Sequence, residues 1–204
     1  MSVLHADALA TLRGWPAPTP DQERLRLRLV QHLESTPDGM WRTSYPDHLT
    51  AGTIVLDATG ERVLLNLHRK AGRWFHFGGH AEPGDPTLAS VALRKAHEES
   101  GLDELVFHPQ PLQIDVHEVP FCDPRGSVHH LDVRYAARAR PGAQEQVSDE
   151  SLALRWWPVD ALPDLEPQMH DLIALARQST ESPEGKTSSD GGRGSREASD
   201  QPAR

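Results

Sequence analysis

The order of elements readable in this 204-residue chain predicts an α+β fold, a mixed-sheet sandwich preceded by a helical arm. Three observations lead there. Short β-rich runs come first, one internal helix interrupts them, and further strands lead to a closing helix. A helix-start signal stands well before the first strand. The last 27 residues carry almost no apolar side chains, so the core belongs to what precedes them.

Residues 1–35 are predicted helical. Thr19-Pro20-Asp21-Gln22 reads as an N-cap, Pro at the first helical position, and Gln three after the cap. Leu25, Leu29 and Leu33 then recur every four residues, and length favours helix over the alternation in the same stretch. Residues 35–46 are turn-rich and link the arm to the body. Thr50–Asp57 and Arg62–His68 are β-rich runs joined by the hairpin-type loop Ala58-Thr59-Gly60-Glu61. A second turn, Lys70–Arg73, precedes a short strand Trp74–Phe77. Gly78-Gly79 and a Pro/Gly-rich loop lead to a helix from Thr87 to about Ser100, which Gly101 ends. Leu105–His108, Gln113–Val119, Val128–Ala139 and Leu152–Pro158 are strands, and Leu165–Arg177 is the closing helix. The organisation expected is an arm (1–47), a body (48–177) and a disordered tail (178–204). The tail cannot bury enough apolar surface to offset its ordering entropy.

Composition narrows the function. The net charge is −9, and the tail's acids and bases nearly cancel, so the body is acidic. That argues against binding a nucleic-acid backbone. No apolar run reaches the ~18 residues of a membrane helix. The N-terminus lacks the basic region and unbroken apolar core of a signal peptide, so a cytoplasmic protein with no membrane partner is expected. A single cysteine, Cys122, excludes a disulfide framework and a cluster of thiolates on zinc. Cys122 lies in Pro-Phe-Cys-Asp-Pro, which reads as a turn holding a non-catalytic thiol.

The chemistry is concentrated in Gly78–Leu102 (GGHAEPGDPTLASVALRKAHEESGL). At 100° per residue, Leu88, Val91 and Ala92 form an apolar stripe. Continued, that stripe reaches Lys95, Glu98 and Glu99. Buried carboxylates need partners, because unpaired they cost several kcal/mol. The end of this face is therefore expected to open into a wet cleft, meet a cation, or both. Oxygen ligands on a rigid helix suit Mg²⁺ or Mn²⁺.

This stretch resembles the Nudix box. Gly79 stands at its first Gly, Asp85 at its first Glu, Arg94 at its Arg, Glu98-Glu99 at its paired acids, and Gly101-Leu102 at its end. The flanking strands extend the likeness over about residues 48–177. Two departures stand out. The spacer from Asp85 to Arg94 holds eight residues where the family has seven. Lys95 replaces the Glu that follows the Arg, a family metal ligand and in some members the general base.

The resemblance implies a Nudix-like α/β/α sandwich with a mixed sheet. It implies Mg²⁺-dependent (or Mn²⁺-dependent) hydrolysis of a diphosphate linkage in a nucleoside-diphosphate-type small molecule. It implies Glu98, Glu99 and the Gly78 carbonyl as metal ligands, with Arg94 and Asp85 bracing them. Lys95 would repel a divalent ion, so weakened metal binding is expected. With no base at position 95, Glu150 in Val147–Leu152 is the candidate catalytic base beside Glu98 and Glu99. Arg69 and Arg73, in the densest basic turn, are candidates to grip phosphate. Lys95 also keeps open a ligand-binding or regulatory module with little turnover. An isopentenyl-diphosphate-isomerase-like reading needs a cysteine before the box, and Cys122 follows it. Among 12 histidines no ligand spacing recurs, and strand alternation lets at most one of His129 and His130 face a cleft. His80, just after Gly79, is the one closest to the box. The arm is expected either to pack on the body or to form a homodimer contact.

Overall fold

The computed structural model describes residues 2–149 and 151–180. The tail beyond 180 and the candidate base Glu150 lie outside the described residues. The helical arm is two helices, α1 (Val3–Gly14) and α2 (Pro20–Ser35). Pro16 and Pro18 separate them, because proline cannot donate to a helical ladder. Thr19 caps α2, accepting from the Gln22 amide at 3.2 Å, with Pro20 opening the helix as its spacing predicted.

The sheet has seven strands: β1 (Asp47–Leu56), β2 (Arg62–His68), β3 (Trp74–Phe75), β4 (Phe77–His80), β5 (Leu105–Asp123), β6 (Gly126–Ala139) and β7 (Ser151–Pro158). Its main path runs β3-β2-β1-β6-β5, with β4 on β1 and β7 on β2. β1 and β6 are parallel and the other pairs antiparallel, so the sheet is mixed. The two strands expected between Leu105 and Val119 are one long strand, interrupted between His108 and Gln113 where the register shifts. Pro109 and Pro111 stand at that break.

The helices α3 (Leu88–Ser100) and α4 (Pro167–Thr180) cover opposite faces of the sheet. Side-chain alternation along β1 shows it. Ala51 and Val55 pack with the α3 side, while Ile54 and Leu56 pack with Leu172, Ile173 and Ala176 of α4. The chain is an α/β/α sandwich.

The arm packs on this body, sharing a core with β1, β6 and α3. Two polar contacts fix it. The Gln22 side chain donates to the Ile114 carbonyl (2.9 Å) and accepts from the Ile114 amide (2.7 Å), so it acts as a strand partner for the sheet edge. The Asp7 carboxylate accepts from the Leu88 amide at 2.7 Å, capping the first turn of α3. Among the described residues no helix is long and apolar enough to cross a membrane.

Candidate active site

Gly78 and Gly79 are part of β4, so the strand expected to end at Phe77 continues through them to His80. Gly78 pairs with Gly52 of β1. A Cβ on Gly78 would come within 2.8 Å of the Gly52 Cα and 3.0 Å of the Ala51 carbonyl oxygen. The glycine serves a close backbone approach that no side chain permits. A Cβ on Gly79 would meet the Lys95 stem at 3.2 Å.

The helix α3 begins at a reciprocal cap between Thr87 and Ser90 and ends at Gly101, whose φ of 68° is left-handed. Its buried stripe runs Leu88, Val91, Ala92, Ala96 and Glu99. The expectation that Glu98 and Glu99 open together into one cleft is therefore corrected. Glu99 is only 4% exposed and lines a cavity, whereas the Glu98 side chain is 45% exposed and stands outside that lining. Adjacent helical residues lie 100° apart, so one faces in and the other toward the rim.

Arg94 knots the preceding loop to the helix. Its fork donates to both oxygens of Asp85 (3.0 and 2.8 Å), to Glu98 (3.1 Å), to Glu82 (3.2 Å) and to the His80 carbonyl (3.2 Å). Asp85 also accepts from the Glu82 amide at 2.8 Å. The extra spacer residue thus leaves the brace intact. Burial alone would raise the Asp85 carboxyl, but Arg94, the Glu82 amide and Lys95 together outweigh it and hold the group below its usual range. Burial is likewise outweighed at Glu98 by Lys95 and Arg94.

Lys95 folds back along Gly79, only 12% exposed. Its ammonium lies 3.0 Å from Glu98 and 3.9 Å from Glu82. A divalent cation fits this donor set in part. Glu99 offers a buried carboxylate, with Gly78 and Asn66 lining the same cavity. Glu98, however, is already held between two cations, one of them the residue standing where the family carries a third carboxylate.

The cavity encloses about 910 Å³. Six cationic side chains line it, Arg42, Arg69, Lys70, Arg73, Lys95 and Arg134, together with seven carboxylates, Glu99, Asp115 and Asp132 among them. Arg69 donates to the Asp149 and Ser151 carbonyls, at 3.0 and 3.1 Å, and Arg73 to Glu166 at 2.6 Å. The two candidate arginines thus sit at the cavity with their forks engaged on neighbouring segments. Asp149, beside the undescribed Glu150, also lines it. Trp156 and Trp157 stand away from that lining. Trp156 donates to Glu145, and Trp157 meets Trp74 edge-on.

Sequence reasoning missed the cavity's polar floor. Arg134 donates to Asp132 (2.8 Å), Asp115 (2.7 Å) and Gln113 (3.0 Å), all buried or nearly so. Asp132 also accepts from Thr50 at 2.9 Å and lies 3.2 Å from His76. Burial opposes ionisation of Asp132, yet His76 and Arg134 keep its carboxyl well below the usual range. Burial pushes His76 down as well, so Arg134 supplies the countercharge.

Beside this floor, His48, His80, His130 and Cys122 converge. His130 faces the cavity, while His129 turns to Asp47 at 2.9 Å. Cys122 lies at the end of β5, buried, and not in a turn. Burial first, then neighbouring imidazoles, pushes His80 and His130 down to about 3. A signal for these residues existed in β6. His130, Asp132 and Arg134 alternate with the apolar Leu131, Val133 and Tyr135, so three successive positions on one face in the middle of a buried strand are polar.

A family model for the NUDIX domain matches residues 46–176, and the chain belongs to the Nudix family of hydrolases. Among solved structures it is similar to a NUDIX-family hydrolase from Clostridium perfringens, at 20% identity and a TM-score of 0.52. That likeness covers 66% of this chain and 98% of the other. A C. elegans Ap4A hydrolase matches at 18% identity, covering 65% and 95%, with a TM-score of 0.51. The E. coli dihydroneopterin triphosphate pyrophosphohydrolase matches at 16% identity, covering 64% and 95%, with a TM-score of 0.51. These likenesses establish the fold. No curated protein matches the chain.

Proposed function

We propose that the protein hydrolyses a diphosphate linkage in a nucleoside-diphosphate-type small molecule, with Mg²⁺ or Mn²⁺ and with metal binding weakened by Lys95. The observation that carries this reading is the buried Glu99 carboxylate on the wall of a cavity of about 910 Å³ lined by charged groups of both signs. That volume suits a nucleotide-sized ligand. Arg42, Arg69 and Lys70 on its wall offer an anion local positive charge, while carboxylates on the same wall leave a divalent ion to neutralise the rest.

Glu99 and the Gly78 carbonyl would hold the ion, with Glu98 joining them on release from its pairs with Lys95 and Arg94. Bound there, a divalent cation neutralises charge on diphosphate oxygens and activates water. The chain's own residues do the rest. Arg69 and Arg73 sit where they can exchange their present partners for phosphate oxygens. Asp85 and Arg94 hold the loop against α3, so Glu98 and Glu99 keep a constant spacing from Gly78. Glu150 is the proposed general base. Its neighbour Asp149 lines the cavity, which supports the assignment. The Glu150→Gln variant should lose about 100-fold or more in kcat with KM little changed.

The Lys95–Glu98 ion pair favours a second reading, a binding or regulatory module with little turnover. A panel of nucleoside diphosphate derivatives, dinucleoside polyphosphates and nucleotide sugars separates the two. It is run with Mg²⁺ and Mn²⁺ on the wild type, Lys95→Glu and Glu99→Gln. Release of product that Glu99→Gln abolishes supports hydrolysis. Thermal stabilisation by a panel member without product, in wild type and Lys95→Glu alike, supports the binding module.

A further inference from the structure

The four side chains His48, His80, His130 and Cys122 come from four strands, β1, β4, β6 and β5, and meet at one point. The His48 Nε2 lies 3.1 Å from the His80 Nε2. The Cys122 Sγ lies 3.4 Å from the His80 Nε2, 3.4 Å from the His130 Nε2 and 3.9 Å from the His48 Nε2. All four candidate ligand atoms fall within 4.8 Å of one another. The three rings are nearly equidistant, with centroids 5.0, 5.1 and 5.0 Å apart.

Four of the six edges of the ligand tetrahedron are set by these contacts, and they compare closely with the edges around a bound metal. Zinc bonds of ~2.0–2.1 Å to nitrogen and ~2.3 Å to sulfur place tetrahedral ligands about 3.3 Å apart for N···N and about 3.6 Å for N···S. Three of the four measured separations lie within about 0.2 Å of these values, and the fourth is about 0.3 Å longer.

The surroundings prepare the ligands. The His48 Nδ1 donates to the Ser44 carbonyl at 3.0 Å, which leaves its Nε2 lone pair pointing at the centre. His48 and Cys122 are buried, and His80 and His130 are mostly so. Arg42 donates to the Cys122 carbonyl at 2.9 Å, which fixes the backbone that carries the sulfur. The strand pairing holds the geometry. His48 is the direct partner of His130 across β1–β6, and His80 is paired to Thr50, two residues on from His48. The lone cysteine excludes a multi-thiolate site, but not a mixed one.

We propose that His48, His80, His130 and Cys122 form a tetrahedral site for a divalent transition metal of the zinc class. Each imidazole binds through Nε2 and keeps its proton on Nδ1. The thiol releases one proton to solvent on binding, and no oxidation state changes. Four protein ligands close the coordination shell, so the role is structural. The metal ties β4 to the β5–β6 hairpin. His80 follows Gly79 directly, and its carbonyl accepts from Arg94, so the site buttresses the start of the box. His80, Cys122 and His130 line the same cavity as Glu99, but the metal uses none of the α3 carboxylates and stands whether or not they support turnover.

The test uses the full chain, stripped with chelator and titrated with Co²⁺. One equivalent should give tetrahedral d–d bands and a thiolate-to-Co²⁺ charge-transfer band, both displaced by Zn²⁺. In Cys122→Ser the charge-transfer band should vanish. In His130→Gln the affinity should fall by about tenfold or more. Glu99→Gln should keep both the band and the affinity. X-ray absorption at the zinc edge of the wild type needs no variant to fold. It should show one sulfur at about 2.3 Å and three nitrogens at about 2.0–2.1 Å. An all-oxygen shell, no thiolate band with excess Co²⁺, or a band that survives Cys122→Ser or disappears in Glu99→Gln would overturn the proposal.

Discussion

Replacing Lys95 by glutamate should make the protein less stable without divalent ions and bind Mg²⁺ more tightly. Without an ion, the change removes a 3.0 Å pair with Glu98 and sets a like charge one turn from Glu98 and Glu99. Glu98 is nearly half exposed, so the lost pair is worth only about 1 kcal/mol. Repulsion with the buried Glu99 adds roughly 1–2 kcal/mol at an effective dielectric near 20, once the side chains relax. The combined cost should lower Tm in chelator by on the order of 5–10 °C. With Mg²⁺ the sign reverses. An ammonium ~6 Å from a divalent ion is repelled by roughly 5 kcal/mol at that dielectric. Screening on the exposed Glu98 side leaves about 2–3 kcal/mol, a gain of roughly 30- to 150-fold in affinity. The assay is thermal unfolding across a Mg²⁺ titration, paired with calorimetric binding and phosphate release. The variant Lys95→Met separates charge from shape and should recover only part of the affinity. If Lys95→Glu and wild type bind Mg²⁺ within threefold of each other and unfold alike in chelator, Lys95 does not govern the metal.

Three further outcomes are expected. Asp85→Ala and Arg94→Ala should each destabilise by about 2–3 kcal/mol. Because both break one knot, a double-mutant cycle should give a coupling of roughly 1–2 kcal/mol; additive effects would deny the brace. Asp57 accepts from Thr59, the Glu61 amide, and the backbone and side chain of Arg62. Burial opposes its ionisation, but Arg62 and the other donors hold its carboxyl below the usual value. The folded value is the lower one, so this stabilisation is complete above about pH 4 and is lost as pH falls through the folded value. Asp57→Asn should therefore lower Tm by about 2–6 °C at pH 7 and flatten the stability curve below about pH 4, measured by thermal scans at several pH values. Gly101→Ala forces a Cβ onto a left-handed backbone and to 2.5 Å from the Gln146 Cβ. It should cost about 1–3 kcal/mol in denaturant unfolding, and a loss below ~0.5 kcal/mol would mean the segment at Gln146 yields freely.

Much was legible in the linear chain because it rests on local rules. The Thr19 cap, the Gly101 stop and the order of strands follow from neighbours a few residues apart. The box at Gly79–Leu102 carries its own spacing, so family and fold class were readable from it, and Asp85 meets Arg94 despite the longer spacer. Other features depended on residues distant in sequence. Gly78 gave no sign of being a strand residue until Gly52 stood opposite it. Glu98 and Glu99 looked equivalent until the packing of α3 buried one and left the other at the rim. His48, His80, Cys122 and His130 share no motif, because parallel pairing of β1 with β6 and antiparallel pairing of β1 with β4 brings them together. The sequence by itself determined the family, the α+β class, and the ammonium beside the paired acids. The tertiary structure alone decided where that ammonium rests, which acid faces the cavity, and which histidines converge. Helix caps and box spacing are set over a few residues of backbone, whereas a site is set by strand register and burial across the whole sheet.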